Sequence, residues 1–398
     1  MSLRILYHHR TQGRGAEGLH IRSIVDALRT AGHEVTVLSP PGIDPLAADA
    51  DVPVDKGQVR TKGMQSVWKW ISRHVPGVIF ELAEIAYNVP AWIRLSRVLD
   101  RGHYDVVYER YAFFMISGAY VSARRGVPFV LEANEVSGIP HRARTQHMIR
   151  ICAALERRLL QSCTGVLTVS SYLRDRILER RVDPERVQVV PNAFDMARVA
   201  GVRRDPTLAA ECGVADNLVI GFVGWFDDWD RLDLLIRVFA RMLPLHPRLK
   251  LMLVGDGPVT ERLKELARVE GVADSVIFTG AVPRTRVLEY ASLLDIAVLP
   301  HSNEFGSPVV MFEFMGLGIP VVAPRLGPIL DVHADGRTAV LFEPLNDQQM
   351  QEAILELVNS AERRADVARH ALAKLQRDHS WAQNARQILR AAGLEERA

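Results

Sequence analysis

Short apolar runs alternate with longer amphipathic stretches along most of the chain. Arg4–His8, Glu34–Ser39, Asp105–Glu109, Pro128–Glu132, Gly165–Ser170 and Val187–Val190 read as strands. Between them, Leu19–Ala31, about Arg144–Ser162 and Tyr172–Arg180 carry apolar residues at helical spacing. The pattern restarts at Leu218–Gly224, followed by strands at Lys250–Gly255, Val276–Thr279, Ile296–Leu299 and Pro320–Ala323. Helices are expected between these at Leu232–Leu243, Val259–Glu270, Thr285–Leu293 and Pro308–Met315. Strands of this buried type, alternating with helices, imply parallel sheets covered on both faces. The chain is therefore expected to be α/β, with two doubly wound, Rossmann-like domains at 1–192 and 193–380. Two such domains facing each other leave a cleft between them, and ligands favour the carboxyl ends of the strands.

The segment Glu304-Phe-Gly-Ser307-Pro308-Val309-Val310-Met-Phe-Glu313 has the most specific chemistry. Ser307 is expected to cap a helix with Pro308 at its first position. The amides of Val309, Val310 and Met311 would then lack partners and suit a diphosphate. Glu313, about a turn and a half further in, can accept from the paired hydroxyls of a ribose. Elsewhere, Gly13-Arg14-Gly15-Ala16-Glu17-Gly18 follows a strand and opens a helix, which favours phosphate or sugar approach. Its glycines also fit a dinucleotide fingerprint, but the next strand ends in Ser39 and not in an acid, which argues against NAD. Val254-Gly255-Asp256-Gly257-Pro258 is a strand-to-helix turn at a sheet edge. Asn192 and Asp195 sit at the domain seam in positions suited to capping. His8, His9 and His20 cluster near one strand end, and Asn134 and Glu135 follow another; these are the acceptor-side candidates.

Composition narrows the class. The net charge is +2 over 398 residues, which gives no case for a nucleic-acid partner. Three cysteines, Cys152, Cys163 and Cys212, have no zinc spacing, and no histidine–carboxylate pattern suggests a metal. The N-terminus lacks a long apolar core, so a cytoplasmic protein is expected. Within 62–73, Met64, Val67, Trp68, Trp70 and Ile71 alternate with Lys62, Lys69 and Arg73. A basic amphipathic helix of this kind either packs on the first domain or contacts the inner face of a membrane.

With these residues in hand, the chain resembles the family 4 retaining glycosyltransferases of the GT-B fold. The resemblance runs through the glycine loop 13–18, Gly32-His33-Glu34-Val35, Ser170, Pro191 to Asp195, Gly221 to Gly224, Val254 to Pro258, Ser307 to Val322, Asp335 to Ala339 and Ser380-Trp381. It implies a nucleoside-diphosphate-sugar donor, UDP or GDP based, on the second domain, with no cofactor and no metal. Gly15, Gly224, Arg231, Gly255, Val282, Ser307, Pro308, Val309, Val310 and Glu313 are the implied donor contacts. The first domain would take a glycan, lipid-linked or small-molecule acceptor, in cell-surface polysaccharide assembly, with His8, His9, Arg14, His20 and Glu135 on that side. A closing helix, 381–398, is expected to return to the first domain. Glu304, Asn134 and Arg231 are the implied catalytic positions.

The chain also departs from the family pattern. Trp225 and Asp230 stand where relatives carry Arg or Ser and then a cation, and Val310 stands where a subgroup carries Lys. Glu304 and Glu313 are nine positions apart, one more than usual. Arg231, then Arg14, are the candidates to replace the missing cations. The missing cations leave one rival reading, a GT-B subunit that binds nucleotide sugars without catalysis, and the same fold leaves another, a nucleotide-sugar epimerase.

Overall fold

The computed structural model describes residues 2–13, 15–47, 77–139 and 146–395. Arg14 and the 62–73 segment lie outside the described residues. The chain divides into two compact units, Met1–Val190 with Trp381–Ala398, and Pro191–Ser380.

The first unit holds a six-stranded parallel sheet of β1 (Arg4–His8), β2 (Glu34–Leu38), β3 (Val106–Arg110), β4 (Phe129–Ala133), β5 (Gly165–Thr168) and β6 (Val187–Val189). Their spatial order is β2-β1-β3-β4-β5-β6. Leu6 pairs with Thr36 on one side and Val107 on the other, so β1 is central and buried on both faces. The Gly15–Thr30 helix buries Ile21, Ile24, Val25 and Leu28 in one cluster with Ala385, Ile388 and Leu389 of the Trp381–Ala391 helix. At Gly165 a Cβ would lie 2.6 Å from the Ala391 carbonyl oxygen, so the closing helix sits directly on β5.

The second unit repeats the plan with β7 (Leu218–Val223), β8 (Leu249–Val254), β9 (Val276–Phe278), β10 (Ile296–Val298), β11 (Val321–Pro324) and β12 (Val340–Phe342), all parallel. The order β12-β11-β10-β7-β8-β9 is that of a dinucleotide-binding sheet. The connections reverse direction between β7 and β10, and that switch point is where such sheets hold ligands.

Two expectations are corrected at this level. The glycine loop expected at 13–18 is not a loop throughout, because the helix starts at Gly15. Gly18 therefore lies inside the helix, where a Cβ would strike the Gly13 carbonyl oxygen at 2.2 Å. The helix expected from about Arg144 runs over Ile149–Ser162. Its first turn is set by Glu81, which accepts from the His147 and Met148 amides at 2.8 and 2.6 Å.

Three interior histidines make stability pH-dependent. Burial lowers His9, His333 and His379 from 6.5 to about 4. Between those values the unfolded chain binds protons that the folded chain refuses, so stability is lost as pH falls through the window. The loss is on the order of 1–3 kcal/mol per histidine. The Tm is expected to fall steadily from pH 6.5 to 4; a flat profile over that range contradicts the assignment.

Candidate functional site

The carboxyl ends of β7 and β10 bring two loops together at the switch point of the second sheet. The loop after β7 runs from Gly224 to Arg231, and the loop after β10 from Leu299 to Pro308. His301 joins them, with Nδ1 3.1 Å from the Trp229 carbonyl oxygen. A carbonyl only accepts, so Nδ1 carries the proton and Nε2 keeps a free lone pair. Burial holds His301 below its ordinary 6.5, so the ring is neutral near pH 7. Trp225 and Trp229 are 54% and 38% exposed on this loop and offer apolar faces to a ligand.

The β7 loop is held by identifiable contacts. Asp227 and Asp230 form a reciprocal capping box around a single turn. Burial pushes the Asp230 carboxyl up to about 7, with the neighbouring Asp227 charge adding to the effect. Gly255 and Gly257 let the β8 loop press against it. A Cβ at Gly255 would lie 1.9 Å from the Gly224 carbonyl oxygen, and one at Gly257 would lie 2.1 Å from that of Phe226. Gly255 also bridges Gly280, which fixes the segment leading to half-buried Val282.

The helix expected from Pro308 runs over Val309–Leu317 and ends at left-handed Gly318. Pro308 occupies the cap position with extended backbone, and Ser307 does not cap the helix. The Ser307 hydroxyl instead accepts from the Asn192 amide at 3.4 Å, and Asn192 Nδ2 donates to the Ser307 carbonyl at 2.9 Å. The Met311 amide, expected to be free, donates back to Pro308 at 3.3 Å. Helix geometry leaves the Val309 and Val310 amides without intrahelical acceptors, so the anion-binding feature survives on two amides.

The two glutamates differ sharply. Glu304 is exposed on the loop. Glu313 is 8% exposed and accepts from Arg198 through Oε1 at 3.1 Å. Arg198 in turn lies over the Phe194 ring. Arg231, the expected replacement cation, is in left-handed conformation and grips Asp233 at 2.9 and 3.0 Å. A phosphate must compete with that carboxylate for the guanidinium.

In the first unit, the strand ends are more enclosed than expected. His8 and His9 are 1% and 0% exposed. His8 Nδ1 meets Glu109 at 2.5 Å, while His9 meets Ser39 at 2.8 Å and Thr11 at 3.2 Å. Both rings thus already have protein partners. Glu132 is a hub. Its carboxylate accepts from Tyr108 at 2.9 Å, Arg110 at 2.6 Å and Asn134 at 2.8 Å, and meets His20 at 2.9 Å. His20 also stands edge-on to Trp381. Glu135 is half-buried beyond the hub. Gly15 opens its helix at φ +62°, with no atom within 4 Å of an added Cβ, so its conformation and not crowding calls for glycine.

Sequence reasoning missed His301, Arg198 and Glu109. His301 was readable as a polar residue just past a strand end. Glu109 was readable as a charge closing an apolar run. Arg198 carried no local signal, since it meets Glu313 from 115 positions away.

The profile described as "Glycosyl transferases group 1" matches residues 212–374, and that described as "Glycosyltransferase Family 4" matches 18–198. A D-inositol 3-phosphate glycosyltransferase of Stackebrandtia nassauensis is 30% identical over 76% of this chain and 70% of its own length. One from Acidothermus cellulolyticus is 28% identical over 73% of this chain and 67% of its own length. Among solved structures, Anabaena HepE in complex with UDP superposes with a TM-score of 0.70 at 18% identity, covering 98% of this chain and all of that one. A Rickettsia africae glycosyltransferase gives a TM-score of 0.73 at 14% identity, covering 98% of each chain. These structures share the GT-B fold of two Rossmann-like domains. With both profiles matched and the order of a nucleotide-binding sheet in place, the chain belongs to the family 4, group 1 glycosyltransferases.

Proposed function

We propose that this glycosyltransferase moves a sugar, with retention, from a nucleoside-diphosphate sugar held by the second unit. The observation behind this reading is the meeting of the β7 and β10 loops at the switch point, beside a helix with two free amides. In this reading the diphosphate lies against the Val309 and Val310 amides and the Ser307–Pro308 turn. Glu313 Oε2 accepts from the ribose, and Val282 borders the base. Gly224 and Gly255 let the backbone approach the ligand, and exposed Glu304 takes hydroxyls of the transferred sugar. The leaving diphosphate accepts the acceptor's proton, so no separate protein base is required. Charge developing on it is held by the helix amides and by Arg231 once drawn from Asp233. UDP is the first donor nucleotide to test, since the HepE structures are described as complexes with UDP and with UDP-glucose. The acceptor, a glycan, lipid-linked or small molecule of cell-surface polysaccharide assembly, is assigned to the first unit near His20, Asn134 and Glu135. The reaction is placed on the cytoplasmic side without a metal.

A thermal-shift screen with UDP, GDP and ADP tests the donor half. At a hundredfold excess over Kd, the matching diphosphate is expected to add about 2.7 kcal/mol of stability. No shift with any of them contradicts the reading.

A second reading, a binding subunit without turnover, is favoured by one observation. Arg231, the first candidate cation at the diphosphate, is already paired with Asp233. Tight diphosphate binding without hydrolysis or transfer from any nucleotide sugar would select this reading. Release of an altered free sugar would select an epimerase.

A further inference from the structure

Three donor-bearing side chains gather at the carboxyl ends of β1 and β2 in the first unit. Arg10 follows β1, Tyr87 joins the Gly77–Ala86 and Asn88–Arg101 helices, and Arg94 lies on the second of these. Arg10 lies over the Tyr87 ring, 5.8 Å from its centroid, and its Nη2 donates to Glu84 at 2.7 Å. Its Nη1 is buried with no hydrogen-bond partner, and Tyr87 Oη is buried without a hydrogen bond of good geometry. Arg94 donates to the Ser39 carbonyl beyond β2, and among the described residues no carboxylate pairs with its guanidinium. Arg94 and Tyr87 are half-buried, so the cluster reaches the surface. Asn88, the next residue after Tyr87, ties this corner to the loop after β3. Its Nδ2 donates to the Ile85 and Phe114 carbonyls at 3.0 and 2.8 Å, and its Oδ1 accepts from the Ile116 and Ser117 amides at 2.9 and 3.1 Å. The carboxamide thereby uses its full bonding capacity. Phe114 is held at φ +62°, a strained conformation for a bulky residue.

We propose that Arg10, Tyr87 and Arg94 form an oxyanion site for an acidic group, a phosphate or a carboxylate, carried by the acceptor. The proposal rests on the reading that the first unit takes the acceptor. Buried polar groups of native proteins are rarely left unpaired. A water would satisfy Arg10 Nη1 and Tyr87 Oη, but it would leave the half-buried Arg94 charge without a counterion. Two carboxylates approach, and each already has a partner: Glu84 takes Arg10, and Glu109 takes His8. Burial pushes the Tyr87 hydroxyl above its ordinary 10.0, against the opposing Arg94 and Arg10 charges, so near pH 7 it is a neutral donor. Guanidinium N–H and phenol O–H groups match an oxyanion, which only accepts. The cluster also lies at the carboxyl ends of its strands, the edge where such sheets hold ligands. The acceptor is thereby narrowed to a molecule with at least one negative charge.

The test is calorimetric titration of the full chain with glucose 6-phosphate, glucuronate, glucose and inorganic phosphate at constant ionic strength. At least one of the two acidic sugars is expected to bind, and glucose is not. Arg94→Met is expected to weaken the acidic sugar by at least about tenfold, the loss of a charge-assisted contact. Tyr87→Phe removes only a hydroxyl and should cost about three- to tenfold. It keeps the ring beneath Arg10, so it carries the test if Arg94→Met folds poorly, as unliganded melting would show. UDP, GDP and ADP titrated into the same variants read the donor site separately, so a failed donor reading shows as no binding by any of the three. The proposal is overturned if neither acidic sugar binds, if glucose binds as well as they do, or if both variants bind like the wild type. Binding of inorganic phosphate without either acidic sugar would mean an adventitious ion only, and overturns it too.

Discussion

Glu313→Ala is expected to lower kcat/KM by about 10²–10³ and to weaken nucleoside diphosphate binding in parallel. A carboxylate accepting from two ribose hydroxyls makes two charge-assisted bonds, each worth about 1.5–3 kcal/mol. The substitution also leaves Arg198 without its partner, but that guanidinium is 24% exposed and can turn to water. Stability should therefore change much less than affinity. Arg198→Met supplies the contrast. It keeps the carboxylate and removes what orients it, so a smaller loss, mainly in KM, is expected. Steady-state kinetics with the matching donor read both effects. Equal losses in the two variants would mean that Glu313 acts only as a structural partner of Arg198.

Glu132→Ala is expected to cost about 3–5 kcal/mol of stability in the first unit, because it removes the centre of a buried charged network. Arg110, with its side chain 12% exposed, would lose its carboxylate, and Tyr108, His20 and Asn134 would lose an acceptor. Burial by itself pushes the Glu132 carboxyl up, but the His20 and Arg110 charges outweigh it and hold the group well below its ordinary 4.5. A lowered carboxylate stabilises fully above the unfolded value and less as pH falls toward the folded one. The wild type should thus lose this contribution below about pH 4.5, and Glu132→Ala should flatten that part of the profile. Glu132→Gln, which keeps one acceptor oxygen, should lose less. Urea unfolding across pH, followed by a probe in the first unit, measures each of these.

The alternation of apolar runs and amphipathic stretches was enough to read the α/β class and the strands, because buried parallel strands need unbroken apolar sequence on both faces. Element ends were less legible. Ser307-Pro308 looks like a cap followed by a first helical residue, yet the Asn192 amide takes the serine hydroxyl and moves the helix start to Val309. His8 and His9 look like ligands at a strand end, but Glu109 and Ser39 arrive from other elements to meet them, and Thr11 meets His9 from two positions along the chain. The bond between His301 and Trp229 and the pair between Arg198 and Glu313 were hidden for the same reason. Each joins residues far apart in sequence, and only the strand order brings them together. The Gly77–Ala86 helix was hidden in another way, since its apolar periodicity is ordinary and only the partners of Glu81 and Glu84 show that these buried carboxylates face inward.

The central claim is a nucleoside diphosphate held at the β7–β10 switch point with its ribose on Glu313. Calorimetric titration of UDP, GDP and ADP into the wild type and Glu313→Ala tests it most directly. The account predicts that one diphosphate binds the wild type and that the variant binds it about a hundredfold more weakly. Binding of none of the three, or equal binding by both proteins, would contradict it.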